Sequence, residues 1–181
     1  MHMIILDTET TGLPKPSAAG LLLQPHVIEF AAIKIDDSLK IVDKLEFICN
    51  PGIPLEPIIT KITGLKDSDL VDKPAFGHYI HELNRFFWMA DAVVAHNHEF
   101  DRQLVYFELL RLGCTDGFEG CNASRVCTVE ATMHLHNRRL KLTELYEIAV
   151  GKPLAQTHRA MDDVMALYEV VKWIKAQGIP L

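Results

Sequence analysis

A chain of 181 residues, 49% hydrophobic and 23% charged, is long enough to bury one ordinary core and too apolar to remain disordered. A formal charge of −6 argues against a broad basic face that grips long nucleic acid. It leaves room for a small acidic pocket that takes a strand end together with divalent cations. No apolar run approaches the ~20 residues of a membrane helix. Met1-His2-Met3 leads straight into a strand pattern, so a cytoplasmic protein without a signal peptide is expected. Cys49, Cys114, Cys121 and Cys127 form no C-x-x-C pair and are expected as reduced thiols.

In chain order, Met3 to Leu6 is apolar and β-branched and meets Asp7, which predicts a buried strand ending on an acid. Pro14 to Gly20 is a loop by composition, and Leu21-Leu22-Leu23 follows it as either core or a partner-facing patch. Val27 to Ile35 and Ile41 to Ile48 read as two further strands across a turn at Asp36-Asp37-Ser38, as in an antiparallel meander. Pro51 to Leu65 reads as irregular. Phe76, Ile80, Leu83, Phe86 and Phe87 recur at helical spacing. Ala92 to Ala95 is a short strand, followed by helices over about Glu99 to Leu112, Leu142 to Val150 and Ala160 to Ala176. Strands first and strand–helix alternation later predict one α/β domain over 1–181, a sheet between helical layers.

Asp7 and Glu9 stand two apart in an extended segment, so both carboxylates leave one face. Paired acids repel unless a cation lies between them, and a hard divalent ion needs such oxygens. Taken alone, the pair reads first as solvated acids at a strand exit, since such a spacing often occurs by chance. Asp101 lies where a buried strand delivers the chain to a helix N-terminus, where α/β proteins place ligands and where an acid also complements the helix dipole. Glu99 suits the dipole role better. In His158-Arg159-Ala160-Met161-Asp162-Asp163, the following helix carries an apolar stripe at Ala160, Val164, Leu167, Val171 and Ile174. Asp163 projects about 60° from the stripe and Asp162 about 160° from it. Asp162 therefore points to solvent, and Asp163 looks along the edge of the core, where a shared cation would satisfy it. His158, on a segment opened by Pro153 to Thr157, suits a general base, since an unperturbed histidine titrates near ~6.5. Together these groups outline a two-metal hydrolase acting at phosphorus.

The segments Asp7-Thr8-Glu9-Thr10-Thr11-Gly12-Leu13, Ile62-Thr63-Gly64-Leu65, His96-Asn97 through Phe100-Asp101, and His158 with Asp163 resemble the DEDDh 3′–5′ exonucleases. That group includes the proofreading subunit of bacterial DNA polymerase III. The resemblance spans nearly the whole chain. It implies a ribonuclease H-like α/β fold, a five-stranded mixed sheet flanked by helices. It implies that Asp7, Glu9, Asp101 and Asp163 bind two Mg²⁺ or Mn²⁺ ions and that His158 is the base. The group's spacing of histidine and last acid again selects Asp163. Thr10, Thr11 and Gly12 would hold the terminal nucleotide by backbone, and Leu13 and Ile62 would wedge against the last bases. For Leu13 and Ile62 ordinary packing is the alternative. Asn97 is a supporting or turn residue. Thr60-Lys61 replaces the His-Gly that many members carry there.

The expected substrate is a nucleic-acid 3′ end, DNA first and short RNA as the alternative, with a catalytically inactive binding domain as the reading from another class. The sequence ends soon after the last helix, without the tail by which the polymerase-bound subunit attaches, which favours a free-standing enzyme; a polymerase partner and a homodimer stay open. Glu29 is in phase with Val27 and Ile33 and is expected to be a buried, hydrogen-bonded acid. Arg138, Arg139 and Lys141 touch phosphates or form solvated surface. His134 and His136 are expected to point apart.

Overall fold

The computed structural model describes residues 2–114, 123–155 and 158–181, and His136 by its backbone alone. Cys121, Gln156, Thr157 and the relative aim of His134 and His136 fall outside the described residues.

Five strands form one mixed sheet: β1 (Met3–Thr10), β2 (Val27–Ile35), β3 (Ile41–Ile48), β4 (Ala92–Ala95) and β5 (Ser124–Cys127), in the order β3-β2-β1-β4-β5. β1–β2 and β2–β3 pair antiparallel, and β1–β4 and β4–β5 pair parallel. Central β1 is covered on both faces, which is why its first residues read as a continuous apolar run. Met3 and Ile5 pack under α7 (Ala160–Ala176) and α6 (Leu142–Val150). Ile4 and Leu6 pack under α3 (Ile80–Phe87) and α4 (His98–Leu112) on the other face. A third cluster of Ile28, Leu55, Ile59, Leu65 and Leu70 seats α1 (Pro57–Thr63) and α2 (Asp67–Leu70) against β2. The remaining helix, α5 (Thr128–His136), follows β5 directly.

Three local expectations are corrected. β1 does not stop at Asp7 but continues to Thr10, with Asp7 opposite Ala31, Glu9 opposite Glu29, and a bulge between Glu9 and Thr10. Polar residues extend the strand because β2 supplies ladder partners for their backbone, and a bulge re-aims the chain where the pairing ends. The stretch around Ile58 is helical, not irregular. Pro57 opens α1 and Gly64, at φ 75°, closes it, while burial of Ile59 overrides the weak propensity of its β-branched residues. The aromatic repeat from Phe76 begins as a 3-10 turn and becomes α3 only at Ile80.

The loop after β1 forms two short 3-10 turns, Ser17–Ala19 and Leu21–Leu23. Leu22 is 95% exposed and Leu23 is exposed too, so the leucine run is surface, not core. The loop is nevertheless anchored. Arg111 Nη2 donates to the carbonyls of Leu21, Gln24 and Pro25 at 3.3, 2.7 and 3.1 Å. Arg111 Nη1 lies 3.0 Å from Glu108 Oε1, which also accepts from the Val27 amide at 3.0 Å. Arg111→Ala would leave three carbonyls and a buried carboxylate without this partner, a cost on the order of 2–4 kcal/mol. Denaturant unfolding should show that loss, with faster amide exchange confined to the loop. Unchanged stability would mean that the remaining loop bonds, such as those between Lys15 and Gln24, hold it without Arg111.

Candidate functional site

Four acids reach one place from three elements. Asp7 and Glu9 lie on the same face of β1. β4 pairs with β1 only from Met3 to Ile5, so beyond Leu6 that edge of β1 has no strand beside it. The first turn of α4 stands at this gap and brings in Asp101, which is 2% exposed and whose Oδ1 accepts from Thr8 Oγ1 at 2.8 Å. Asn97, at φ 72°, makes the sharp entry into α4; asparagine tolerates this left-handed backbone better than most residues. Asp163, 7% exposed, sits in the first turn of α7, and Asp162 beside it is exposed, as the helical phase requires.

His158 precedes α7 with φ 54°, a left-handed conformation uncommon for a non-glycine residue and frequent at functional sites. Its ring nitrogen and carboxylate oxygens of Glu9 and Asp163 lie within 4.8 Å of one another. Asp7 and Glu9 keep partial access to solvent, which an ion and a substrate both need.

Burial and mutual proximity shift the ionisation of these carboxyls. Burial is the largest influence on Asp7, followed by the charges of Asp101, Asp163, Glu9 and Glu29, and together they hold its carboxyl well above the ordinary value. Burial, then Asp163, Glu29 and Asp101, lift Glu9 to about 8, with Arg159 opposing. Burial also raises Asp101, against the Thr8 hydroxyl that favours its charged form. Converging carboxyls that resist ionisation, yet are open to solvent on one side, fit the donor set of hard divalent ions. Asp7, Glu9, Asp101 and Asp163 are the residues that could hold them.

The sign of the pH dependence follows. A carboxyl whose pKa is higher in the fold than in the unfolded chain favours folding while protonated, fully below the unfolded value near 4.5. That contribution is lost as pH rises through the folded value, about 8 for Glu9. The melting temperature of the metal-free protein should therefore fall between these values. Mg²⁺ or Mn²⁺ should restore it by an increment that grows with pH, because binding displaces protons. An increment independent of pH would place the ions elsewhere.

The other expected residues divide. Thr10 is buried, its Oγ1 donating to the Gly12 carbonyl at 2.8 Å, and Thr11 Oγ1 accepts from the His26 amide at 2.9 Å. Both hydroxyls are thus used to shape the turn at Gly12. Leu13 is 76% and Ile62 45% exposed, so neither is consumed by packing. Asn97 Oδ1 accepts from Arg139 Nη2 at 2.9 Å. Glu99 is outside the cluster: hydrogen bonds from Arg102 and Gln103 occupy it, and the Arg102 bond, the strongest influence, takes it to about 2.

Three supporting residues had no role assigned by sequence. Thr8 alternates with the two acids and so points at Asp101. Arg159 directs Nε and Nη2 onto Glu29 at 2.8–3.1 Å, and the Ala160 amide also reaches Glu29 at 3.4 Å, fastening the start of α7 to β2. Glu29 is the buried, hydrogen-bonded acid that its phase predicts. His96 places Nε2 3.1 Å from the Leu140 carbonyl and Nδ1 3.0 Å from Thr128 Oγ1. A carbonyl only accepts, so Nε2 carries the proton, and burial pushes this ring down to about 4, keeping it neutral. The only available signals were residue type and phase, since each partner is remote in sequence.

A family model described as exonuclease matches residues 4–171. A PolC-type DNA polymerase III of Caldanaerobacter subterraneus subsp. tengcongensis is 32% identical over 93% of the chain, and the chain spans 11% of that protein. The DNA polymerase III epsilon subunit of Pasteurella multocida is 26% identical over 74% of the chain and 50% of the subunit. Among solved structures, the nuclease domain of 3′hExo bound to rAMP, a DEDDh family member, superposes with a TM-score of 0.80 at 13% identity, covering 99% of this chain and 94% of that one. Exonuclease X in complex with 5′ overhanging duplex DNA gives 0.65 at 22% identity over 97% and 93%. These structural likenesses match the five-stranded mixed sheet with flanking helices. The match across residues 4–171 places the chain in the exonuclease family.

Proposed function

We propose that this protein removes nucleoside monophosphates one at a time from the 3′ ends of DNA, at single-stranded or frayed ends, by metal-assisted hydrolysis. One observation carries the reading: β1, α4 and α7 bring Asp7, Glu9, Asp101 and Asp163 to one place, with a His158 ring nitrogen within 4.8 Å of carboxylate oxygens of Glu9 and Asp163. Two Mg²⁺ or Mn²⁺ ions held by those four acids would stabilise the attacking and leaving oxygens of an in-line displacement at phosphorus. His158 accepts the proton of the attacking water through its ring nitrogen. Thr8 orients Asp101 by its hydrogen bond, and the Arg159–Glu29 pair fixes the chain that carries His158 and Asp163. Exposed Leu13 and Ile62 offer apolar surface on which any terminal base stacks without being read.

The relatives named as polymerases support DNA as substrate and a polymerase as the partner that presents the end. Because the chain spans 11% of the PolC-type relative, the reading concerns this segment's chemistry alone. Matched 5′-labelled DNA and RNA oligonucleotides, single- and double-stranded, test it. Laddering from the 3′ end of DNA is expected. Laddering of RNA only would reassign the substrate to RNA through contacts at the 2′-OH, and uncut substrate throughout would reduce the domain to a binding module.

A further inference from the structure

A cleft of about 500 Å³ opens from the Asp7 and Asp163 side of the cluster and is lined further by His96, Asn97, Arg139 and Lys141. It lies toward β4, whereas α1 with Ile62 packs toward β2 and β3, on the opposite flank of β1. The loop that carries the two cations is built in, not draped. Leu140 is buried as a peg between them, its carbonyl held by His96 at 3.1 Å. Arg139 is steadied by the uncharged amide of Asn97 at 2.9 Å, which leaves its charge uncancelled. Arg138 next to it is spent on Glu144, at 2.7 and 3.0 Å. Among the described residues no carboxylate forms an ion pair with Arg139 or Lys141. In a chain of net charge −6, an arginine and a lysine that line one cleft outside any salt bridge, with Lys141 influencing Glu144 only through space, mark a site for an anion that reaches both.

We propose that Arg139 and Lys141 form a phosphate subsite for the nucleic-acid backbone on the 5′ side of the scissile bond. This rests on the exonuclease reading above. With the terminal nucleotide toward Leu13 and Ile62, the rest of the strand leaves across the acidic cluster into this cleft. Arg139 offers a planar fork to the phosphate oxygens and Lys141 a point charge. The contact reads no base, so it serves grip and register, not sequence preference.

The test pairs the double variant Arg139→Ala/Lys141→Ala with Arg138→Ala. Two substrates are compared: a fluorescein-labelled oligothymidylate, and the p-nitrophenyl ester of thymidine 5′-monophosphate, which has no phosphate beyond the scissile one. Oligonucleotide binding is also measured in Ca²⁺ across a salt series. For the double variant we expect Kd for the oligonucleotide to rise about tenfold or more, and the slope of log K against log salt to shrink by about one unit per lost contact. Its loss of kcat/KM should be about tenfold greater on the oligonucleotide than on the ester. Arg138→Ala should move none of these by more than about twofold. Equal losses on both substrates, or unchanged oligonucleotide binding, would overturn the subsite. If the wild-type protein cleaves neither substrate, the exonuclease reading fails, and the binding series still decides the subsite by itself.

Discussion

Replacing Asp7 by asparagine should abolish hydrolysis, a fall of at least about a thousandfold in kcat, which corresponds to roughly 4 kcal/mol of lost transition-state stabilisation. Asp7 belongs to β1, which also carries Glu9 and lies between α4 and α7, and its charge interacts with those of Asp101, Asp163 and Glu9. An amide there keeps the shape and removes the charge that a divalent ion needs. The same change relieves a carboxyl that burial and its neighbours already penalise, so the metal-free variant should melt no lower than the wild type. Activity and stability thus move independently, which separates a catalytic loss from a folding defect. Asp163→Asn should lower kcat as Asp7→Asn does. Asp162→Ala, on the exposed side of α7, should leave kcat within about twofold, as surface substitutions commonly do. Equal damage from Asp162 and Asp163 would mean that α7 presents a different face to the substrate than its burial pattern shows.

His158→Ala should slow turnover by about 10²–10⁴, the range of a lost general base, while divalent-ion affinity stays near wild type. The geometry makes this a sharp question, because His158 lies within 4.8 Å of ligand atoms of both Glu9 and Asp163, close enough to act as a ligand itself. Isothermal titration with Mn²⁺ distinguishes the two roles. Intact metal binding with slow chemistry identifies the base; collapse of metal binding together with activity identifies a ligand. His158→Asn, which keeps a polar side chain at that positive φ, should fold as well as the wild type and be as slow as the alanine variant.

Some of the candidate site is legible because short-range periodicity decides which of its residues share a face. Asp7 and Glu9 share a face by the two-residue repeat of a strand, and Asp163 is selected over Asp162 by the 3.6-residue repeat of α7. Both judgements need only the local chain, and burial agrees with them. Asp101 was undecidable for a physical reason. What makes it more than a helix-dipole acid is the gap beside β1 beyond Leu6 and the hydroxyl of Thr8, 93 residues away, neither of which leaves a trace in the local pattern. The Arg159–Glu29 bridge spans 130 residues, so one partner was visible as a buried acid and the other was not visible at all.

The fold shows the same division. β2, β3 and α7 carry long, consistent patterns and stand where periodicity puts them. β5 is four residues with Val126 alone buried, a strand only by virtue of its pairing with β4, and no sequence segment pointed to it although the resemblance implied a fifth strand. α1 was hidden by its β-branched residues, which propensity disfavours in a helix and burial against β2 retains. The Leu21–Leu23 run was ambiguous because hydrophobicity alone cannot tell a core from a surface anchored by Arg111.

The proposed function requires that Asp7, Glu9, Asp101 and Asp163 hold the divalent ions on which 3′-end hydrolysis depends. Its most direct test strips the protein with EDTA and titrates Mn²⁺ or Mg²⁺ back while following cleavage of a 5′-labelled oligonucleotide and ion binding in the same samples. Activity should vanish on chelation and return with occupancy of two ions per chain, and Asp7→Asn should bind fewer ions and recover nothing. Hydrolysis that survives complete chelation, or that returns equally in Asp7→Asn, would contradict the account.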